Sequence, residues 1–150
     1  MKVRGFEIIT AYKNSTISLP LRKTEYSAGY DISSAADVML LPGTVTIIPT
    51  GLKAYMGKDE FLGIHIRSGL SIKNKVSLIN GQGIIDADYY NNEDNEGHIM
   101  IALYNHNDRE VLITQGMRIA QGIFYKYLLT DCDENSSFAT RSGGFGSTGN

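Results

Sequence analysis

The stretch IMIALY at residues 99–104 gives the clearest structural signal in the chain. Successive side chains of an extended segment point to opposite faces, so Ile99, Ile101 and Leu103 share one face. A β-strand with one apolar face against a core is therefore predicted here.

Five further short apolar runs lie on either side of this stretch. Turn residues separate them, among them Pro42-Gly43 and Met56-Gly57. Many short strands at close spacing are typical of a sandwich, jelly roll or barrel, so we predict an all-β fold, a distorted jelly roll. The additional runs are Phe6–Tyr12, Val38–Leu41, Val45–Ile48, Phe61–Ile66 and Ile119–Leu129.

Two segments depart from the strand pattern. Leu70–Lys75 is the one stretch that favours a short helix, and its length is marginal for an isolated helix. The acidic stretch NNEDNEG at 91–97 is most simply a solvated hairpin loop.

Composition excludes several classes of function. The chain has 150 residues, 42% of them hydrophobic, a formal charge of -2 and a pI of about 5.9. This balance indicates a folded domain and gives no electrostatic footprint for nucleic acid. A membrane span needs about 18–20 apolar residues, and neither such a run nor a signal peptide is found. The one cysteine, Cys132, cannot form an internal disulfide, so a cytoplasmic location is expected.

The last twenty residues differ from the rest. We predict a β domain at 1–130 and a flexible C-terminal arm at 131–150, because glycine and serine dominate from Thr130 onward. A frayed terminus is the simpler interpretation. Arg141 and Phe145 argue for a strip that closes over an anionic, ring-bearing ligand. Glycines at 143, 144 and 146 let backbone amides approach phosphate oxygens.

The tripeptide Arg67-Ser68-Gly69 follows a predicted strand and precedes the predicted helix. The free N–H groups and dipole of a helix N-terminus suit a phosphate, and Gly69 permits close approach of the backbone. The alternative is that Ser68 is an ordinary capping residue.

The segment from Asn80 to Tyr89 carries most of the candidate chemistry. Glycines at 81 and 83 predict a tight hairpin, whose exposed main chain suits recognition of a base edge. Asp86 follows two apolar residues and is a candidate general base, and Asp88 would share its face in a strand. The alternative is turn chemistry followed by solvent-facing acids.

Other candidate residues give weaker signals. Asp31 is either a turn-capping acid or a metal partner. His65 is expected in a strand and His98 and His106 at the surface, without the spacing of a metal site. No P-loop, Ser-His-Asp signature or zinc pattern appears.

Five blocks in order resemble the five motifs of the trimeric dUTPase family. They cover about four-fifths of the chain, and their order is far more specific than any single block. The sequence departs from the usual pattern in having Ile66 before Arg67, the insertion NNEDNEG, and only four residues from Arg141 to Phe145. The blocks are AGYDISSA (28–35), RSGLS (67–71), NGQGIIDADYY (80–90), GMRIAQGIF (116–124) and RSGGFGSTG (141–149).

This resemblance implies a β-clip fold and hydrolysis of dUTP to dUMP and pyrophosphate, which limits uracil in DNA and supplies dUMP for dTTP synthesis. It implies that Asp86 activates water for attack on the α-phosphorus. It implies Mg²⁺ as cofactor, held through water by Asp31. It also implies a homotrimer in which each site draws on three chains.

The resemblance further implies the residues that bind substrate. Asn80 and the backbone of Gly83 and Ile84 would pair with uracil, and the Tyr89 ring would lie against deoxyribose. Phe145 would stack on uracil as the arm closes. The phosphates would contact Arg67, Ser68, Gly69, Gln121, Arg141, Gly146 and Ser147.

Three alternatives remain open from the sequence. A dCTP deaminase, monofunctional or bifunctional, shares the fold, although the glutamate motif for deamination is not seen. A nucleotide-responsive regulatory protein would use the fold to bind a partner. A purely structural jelly-roll domain would leave the order of the five blocks unexplained.

Overall fold

The computed structural model describes residues 1–133, 137–146 and 148. Within these ranges the chain forms short antiparallel strands, one α-helix and two 3-10 turns, Thr10–Tyr12 and Ala87–Tyr89. The helix α1 spans Ser68–Asn74. The strands are β1 (Gly5–Ile8), β2 (Tyr30–Ser33), β3 (Val38–Leu40), β4 (Val45–Pro49), β5 (Leu52–Tyr55), β6 (Glu60–Ile66), β7 (Val76–Leu78), β8 (Gly83–Asp86), β9 (Met100–Asn105), β10 (Val111–Ile113) and β11 (Arg118–Lys126).

These strands form four small sheets. The largest has the order β2-β11-β6-β8, and a three-stranded sheet has the order β4-β9-β7. Two-stranded sheets pair β1 with β5 and β3 with β10. The all-β, jelly-roll-like fold predicted from the sequence is confirmed.

The core lies between the sheets and is built from the predicted apolar faces. Ile99, Ile101 and Leu103 are at most 1% exposed, and they pack with Ile32 and Leu62 from the largest sheet. Burying an aliphatic side chain of this size stabilises a fold by about 1.5–3 kcal/mol. The alternation in IMIALY therefore does position strand β9 against the core.

Helix α1 begins and ends earlier than the sequence predicted. Arg67 precedes it in an extended conformation, and Lys75 ends it in the left-handed region with φ of 49°. The N-cap position makes no side-chain capping bond, and Ser68 is the first helical residue. The capping role considered for Ser68 was therefore wrong, and its hydroxyl is exposed at the start of the helix.

The turn at 79–82 does not close a hairpin, contrary to the prediction. Strand β7 pairs with β9, whereas β8 pairs with β6. Gly81, with φ of 70°, donates its N–H to the carbonyl of Leu78 and redirects the chain from one sheet to the other. The main chain between the two sheets is thereby left at the surface.

Among the described residues no helix has the length and apolar character needed to cross a bilayer.

Candidate active site

Strand β8 and the turn before it form one wall of a cavity of about 310 Å³, which we call the Asp86 cavity. Its floor is apolar and includes Ile64, Met100 and Ala102. Asn80 and Asp86 bring polar side chains to its rim. The carboxylate of Asp86 is 47% exposed, so it reaches solvent while its backbone remains in the sheet.

Tyr89 forms a fixed side of this cavity. Its ring is 6% exposed, and its hydroxyl donates to the carbonyl of His98 at 2.7 Å. Burial raises the pKa of this phenol above its usual value, so the hydroxyl stays protonated at neutral pH. The ring is thus an uncharged wall that faces the cavity.

His98 does not lie at the surface as the sequence suggested. It is half-buried, and its Nε2 accepts the backbone N–H of Gly51 at 2.9 Å. Burial lowers the pKa of the imidazole, because the charged form loses solvation. His65 lies in β6 as expected, and His106 is exposed and bonded to Ser77.

The C-terminal arm closes the other side of the Asp86 cavity. Arg141, Gly144 and Phe145 all line it. A β-carbon added to Gly144 would lie 3.0 Å from Cε2 of Tyr89, so only a glycine lets the arm come this close. Gly146 has φ of 93°, a conformation that suits glycine. Ser147 lies outside the described residues.

The guanidinium of Arg141 binds both acids of the segment. Its Nη2 lies 2.6 Å from Oδ2 of Asp86, and its Nε lies 2.7 Å from Oδ1 of Asp88. Asp88 does not share a strand face with Asp86, because β8 ends at Asp86 and a 3-10 turn follows. That turn nevertheless brings the two carboxylates to one cation.

The polar loop at 91–97 is not the solvated hairpin that its composition suggested. Asn92 and Gly97 are buried, and the N–H of Asp94 donates to the carbonyl of Ser142 in the arm at 3.0 Å. The loop follows the 3-10 turn rather than joining two paired strands, and it packs beneath Tyr89.

A second cleft, of about 210 Å³, gathers the remaining candidates, and we call it the Asp31 cleft. Gln121 lies directly opposite Asp31 on adjacent strands β11 and β2. A side chain at Gly29 would overlap the Gln121 amide, so the glycine of the first block makes room for the glutamine of the fourth. Arg67 and Ser68 enter from the start of α1.

Cations surround the acid in this cleft. The Oδ2 atom of Asp31 accepts from Nη1 of Arg118 at 3.0 Å, and Nε of Arg67 lies 3.6 Å from Oδ1. Lys23 also lines the cleft. Three cations against one carboxylate leave a positive local field, which suits phosphate oxygens. Gly69 is exposed beside it, with open space around its α-carbon.

The two cavities are separate in one chain. Asp31 lies on β2 and Asp86 on β8, at opposite edges of the four-stranded sheet. Three strand spacings therefore separate them, or roughly 14 Å across the sheet. The structure thus brings the candidates together in two groups, with Asn80, Gly83, Ile84, Asp86, Tyr89, Arg141 and Phe145 in one and Asp31, Arg67, Ser68 and Gln121 in the other.

The side chains able to bind a metal restrict how an ion could be held. Across the described ranges, no three His, Cys, Asp or Glu side chains cluster as a metal site. Mg²⁺ commonly binds one or two carboxylates together with substrate phosphates and waters. Asp31, 16% exposed and paired with arginine, fits water-mediated contact with an ion that arrives with a phosphate ligand.

Sequence reasoning missed two contributors. Arg118 was quoted within the fourth block but given no role, and it holds Asp31. Asn95 lies in a stretch interpreted as solvated and donates to the Tyr89 hydroxyl at 2.8 Å. Its position six residues after Tyr89 does not by itself predict a contact between the two side chains.

Comparison with known proteins found a matching family. Residues 15–149 match the dUTPase family. The chain is 52% identical over 149 residues to the deoxyuridine 5'-triphosphate nucleotidohydrolase of Lactococcus lactis subsp. lactis (strain IL1403), covering 99% of both proteins.

Solved structures share the fold. A dUTPase from Streptococcus mutans superposes with a TM-score of 0.81 at 43% identity, covering 85% of this chain and 98% of that one. A mutant dUTPase from phage phi11 of S. aureus, described with a structural Mg(II) ion, has a TM-score of 0.73 at 20% identity, covering 88% and 95%. The second similarity is one of fold alone.

Proposed function

The chain belongs to the dUTPase family, and we propose that Asp86 activates the water with which this enzyme hydrolyses dUTP to dUMP and pyrophosphate. The activity is that of a dUTP diphosphatase. It limits the incorporation of uracil into DNA and supplies dUMP for dTTP synthesis. The observation that carries the proposal is the position of Asp86, half-exposed on the rim of a cavity with an apolar floor.

The reaction needs one proton acceptor and one leaving group. Oxygen of the attacking water forms a bond to the α-phosphorus, and the bond from that phosphorus to the α–β bridging oxygen breaks. Asp86 takes the proton of the water and passes it to solvent, while pyrophosphate leaves with the bonding electrons.

The walls of the Asp86 cavity suit a deoxyuridine. Asn80 and the backbone of Gly83 and Ile84 would pair with the uracil edge, and the close wall would exclude a methyl group at C5. A β-carbon on Gly83 would lie 3.1 Å from Cβ of Ile64, so the main chain here is packed tightly and cannot retreat. Tyr89 would lie against deoxyribose and leave no room for a 2′-hydroxyl.

The Asp31 cleft suits the phosphates. Arg67 supplies a cation, Ser68 a hydroxyl, Gly69 an accessible N–H at the first turn of α1, and Gln121 an amide. Arg118 holds Asp31 in place and adds positive charge. Phosphoryl transfer depends mainly on such positioning and neutralisation.

Mg²⁺ is the proposed cofactor, with Asp31 contacting it through water. Asp31 would hold such an ion, and the ion's charge would help to neutralise the negative charge that develops on the leaving group. Because Asp31 is already paired with Arg118, we expect the protein to bind Mg²⁺ appreciably only together with a nucleotide.

A homotrimer with shared sites is the proposed assembly, and the separation of the two cavities supports the sharing of sites between copies. An ion held by Asp31 must lie within a few ångströms of the phosphates, and Asp86 must reach the α-phosphorus of the same substrate. Within one chain roughly 14 Å of sheet separates these residues. A complete site therefore combines the Asp86 cavity of one copy with the Asp31 cleft of another, as in a closed ring of identical subunits.

The arm would complete the site after substrate enters. Phe145, 68% exposed, is available to stack on uracil, and Gly146 and Ser147 would present amides or a hydroxyl to phosphate. Arg141 must leave Asp86 and Asp88 to reach the γ-phosphate. A triphosphate carries more charge than the two carboxylates, so it would draw the guanidinium away from them.

The decisive experiment measures pyrophosphate release from four nucleotides with Mg²⁺ present. We expect release from dUTP and little from dTTP, dCTP or UTP. Intact dUTP after incubation with folded protein would refute the proposal. Conversion of dCTP to dUTP would identify a deaminase, and nucleotide binding without turnover a regulatory protein. Neither alternative is favoured by the relatives. The expected setting is the cytoplasm.

A further inference from the structure

The loop Asn91–Gly97 is held together by its own asparagines. Asn92, 8% exposed, donates from Nδ2 to the carbonyl of Tyr89 at 2.8 Å and to Oδ1 of Asn95 at 2.9 Å. Its Oδ1 accepts the N–H groups of Asp94 and Asn95, both at 3.0 Å. The loop is therefore a folded unit joined to the end of the 3-10 turn.

Lys53 fixes this loop to the rest of the domain. Its Nζ lies 2.6 Å from Oδ1 of Asn91 and 2.7 Å from Oε1 of Glu96. The side chain of Lys53 is only 9% exposed, so these bonds form in surroundings largely shielded from solvent. Both ends of the loop are thereby attached to strand β5.

Asn95 uses this fixed frame to hold the ring of Tyr89. Its Oδ1 accepts from the N–H of Gly97 at 3.1 Å and from Asn92, so its Nδ2 must point the other way. That Nδ2 donates to the Tyr89 hydroxyl at 2.8 Å. The hydroxyl therefore accepts from Asn95 and donates to His98, and its position is set from two sides.

We propose that Asn95 is a positioning residue that sets the discrimination between deoxyribose and ribose through Tyr89. This rests on the proposed function, in which the Tyr89 ring excludes a 2′-hydroxyl. Asn95 contacts the hydroxyl end of the ring, and the arm glycine Gly144 packs against the ring itself. A ring that is released at its hydroxyl end can tilt and admit the larger sugar.

The test is a double-mutant cycle on the full-length enzyme. Asn95→Ala removes the donor to the hydroxyl and puts no acceptor in its place, while Tyr89→Phe removes the hydroxyl itself. We measure kcat/KM for dUTP and for UTP and take their ratio. Each single variant should lower the preference for dUTP about five-fold, the loss expected for one hydrogen bond.

The double variant decides between direct and indirect action. If Asn95 acts through the Tyr89 hydroxyl, the preference for dUTP in the double variant falls no further than in the more strongly affected single variant, about five-fold. Losses that multiply to about 25-fold would show an independent effect, such as a rearranged loop, and would overturn the proposal. Unchanged preference in Asn95→Ala would overturn it as well.

Two controls separate the causes of failure. Glu93→Gln alters a charge on an exposed residue of the same loop and should leave the preference unchanged. If Asn95→Ala does not fold, the cycle is repeated with Asn95→Leu, which likewise carries neither a donor nor an acceptor. Wild-type enzyme without dUTP turnover would refute the proposed function, whereas active enzyme with an unaltered preference in the variants would refute only the role of Asn95.

Discussion

Arg141 donates from Nη2 to the Oδ2 atom of Asp86 at 2.6 Å, so the cation of the arm lies on the carboxylate proposed to activate water. The same guanidinium reaches Asp88 through Nε. This contact is compatible with binding of the arm over the cavity, but Asp86 must be released from it before it can accept a proton.

Arg141→Lys should lower kcat/KM for dUTP about ten-fold or more, because an ammonium cannot bind two groups in the forked manner of a guanidinium. Stability should change by less than about 1 kcal/mol, since the carboxylates are exposed. Steady-state kinetics and thermal unfolding check both statements. Arg109→Lys, an exposed arginine outside both cavities, is the matched control. Equal activity of the two variants would argue against a role for Arg141.

Asp86→Asn should retain dUTP binding and lose most turnover, by about 10²–10⁴-fold, because an amide cannot take the proton of water. Binding is measured by calorimetry and turnover by single-turnover release of pyrophosphate. Near wild-type turnover in this variant would exclude Asp86 as the base.

Deletion of residues 141–150 should abolish most turnover and leave the fold intact. The arm supplies one side of the Asp86 cavity, whereas the buried residues of the core cluster run from Ile32 to Ala120. Circular dichroism and size-exclusion chromatography follow the fold and assembly of the truncated chain. A truncated enzyme as active as the full chain would show that closure of the arm is unnecessary.

Mixed assemblies should recover activity that neither parent has. Asp86→Asn lacks a working Asp86 cavity, and Arg67→Ala lacks the cation of the Asp31 cleft. After joint refolding at equal amounts, about a quarter of the sites should combine two intact halves from different chains. The measurement is dUTP turnover of the mixture against each parent. A mixture no more active than the better parent would place both halves of each site in one chain.

The Glu96 carboxylate should make stability depend on acid pH. The hydrogen bond from Lys53, followed by that from the N–H of Thr10, lowers its pKa from 4.5 to about 2. A carboxylate whose pKa is lower in the folded state stabilises the fold at pH values above its unfolded-state pKa. That stabilisation is lost as the pH falls through the folded-state pKa. Wild type should therefore unfold at a higher temperature than Glu96→Gln at neutral pH, and the difference should shrink below pH 4.5 towards about 2.

Thermal unfolding across this range, with Glu93→Gln as the control from the same loop, checks the expectation. A difference between wild type and Glu96→Gln that stays constant from neutral to acid pH would show that the carboxylate charge contributes nothing.

The strands and core were predictable because apolar alternation has a direct physical cause. Ile101 and Leu103 lie on one face of strand β9, and Ile99, which directly precedes the strand, is buried with them. Burying these side chains stabilises the fold. The connection from β7 to β8 was not predictable in the same way. Gly81 signals a tight turn, but its conformation does not specify whether the next strand returns to the same sheet.

The sequence indicated a set of candidate site residues and did not indicate their arrangement. The order of the five blocks identified Asp86, Tyr89 and Asp31 as candidates, but their distribution over two cavities depends on strand order. The prediction of a solvated loop at 91–97 was wrong because composition does not show whether polar side chains form hydrogen bonds to water or to each other. Asn92 and Asn95 bond to each other.

The acids on the rim of the Asp86 cavity also affect how a nucleotide arrives. Two unpaired carboxylates would repel a triphosphate as it diffuses towards the opening, and such repulsion slows encounter. With Arg141 between them, Asp86 and Asp88 present one net negative charge rather than two. The arm therefore lowers the electrostatic barrier to association before it makes any contact with the ligand.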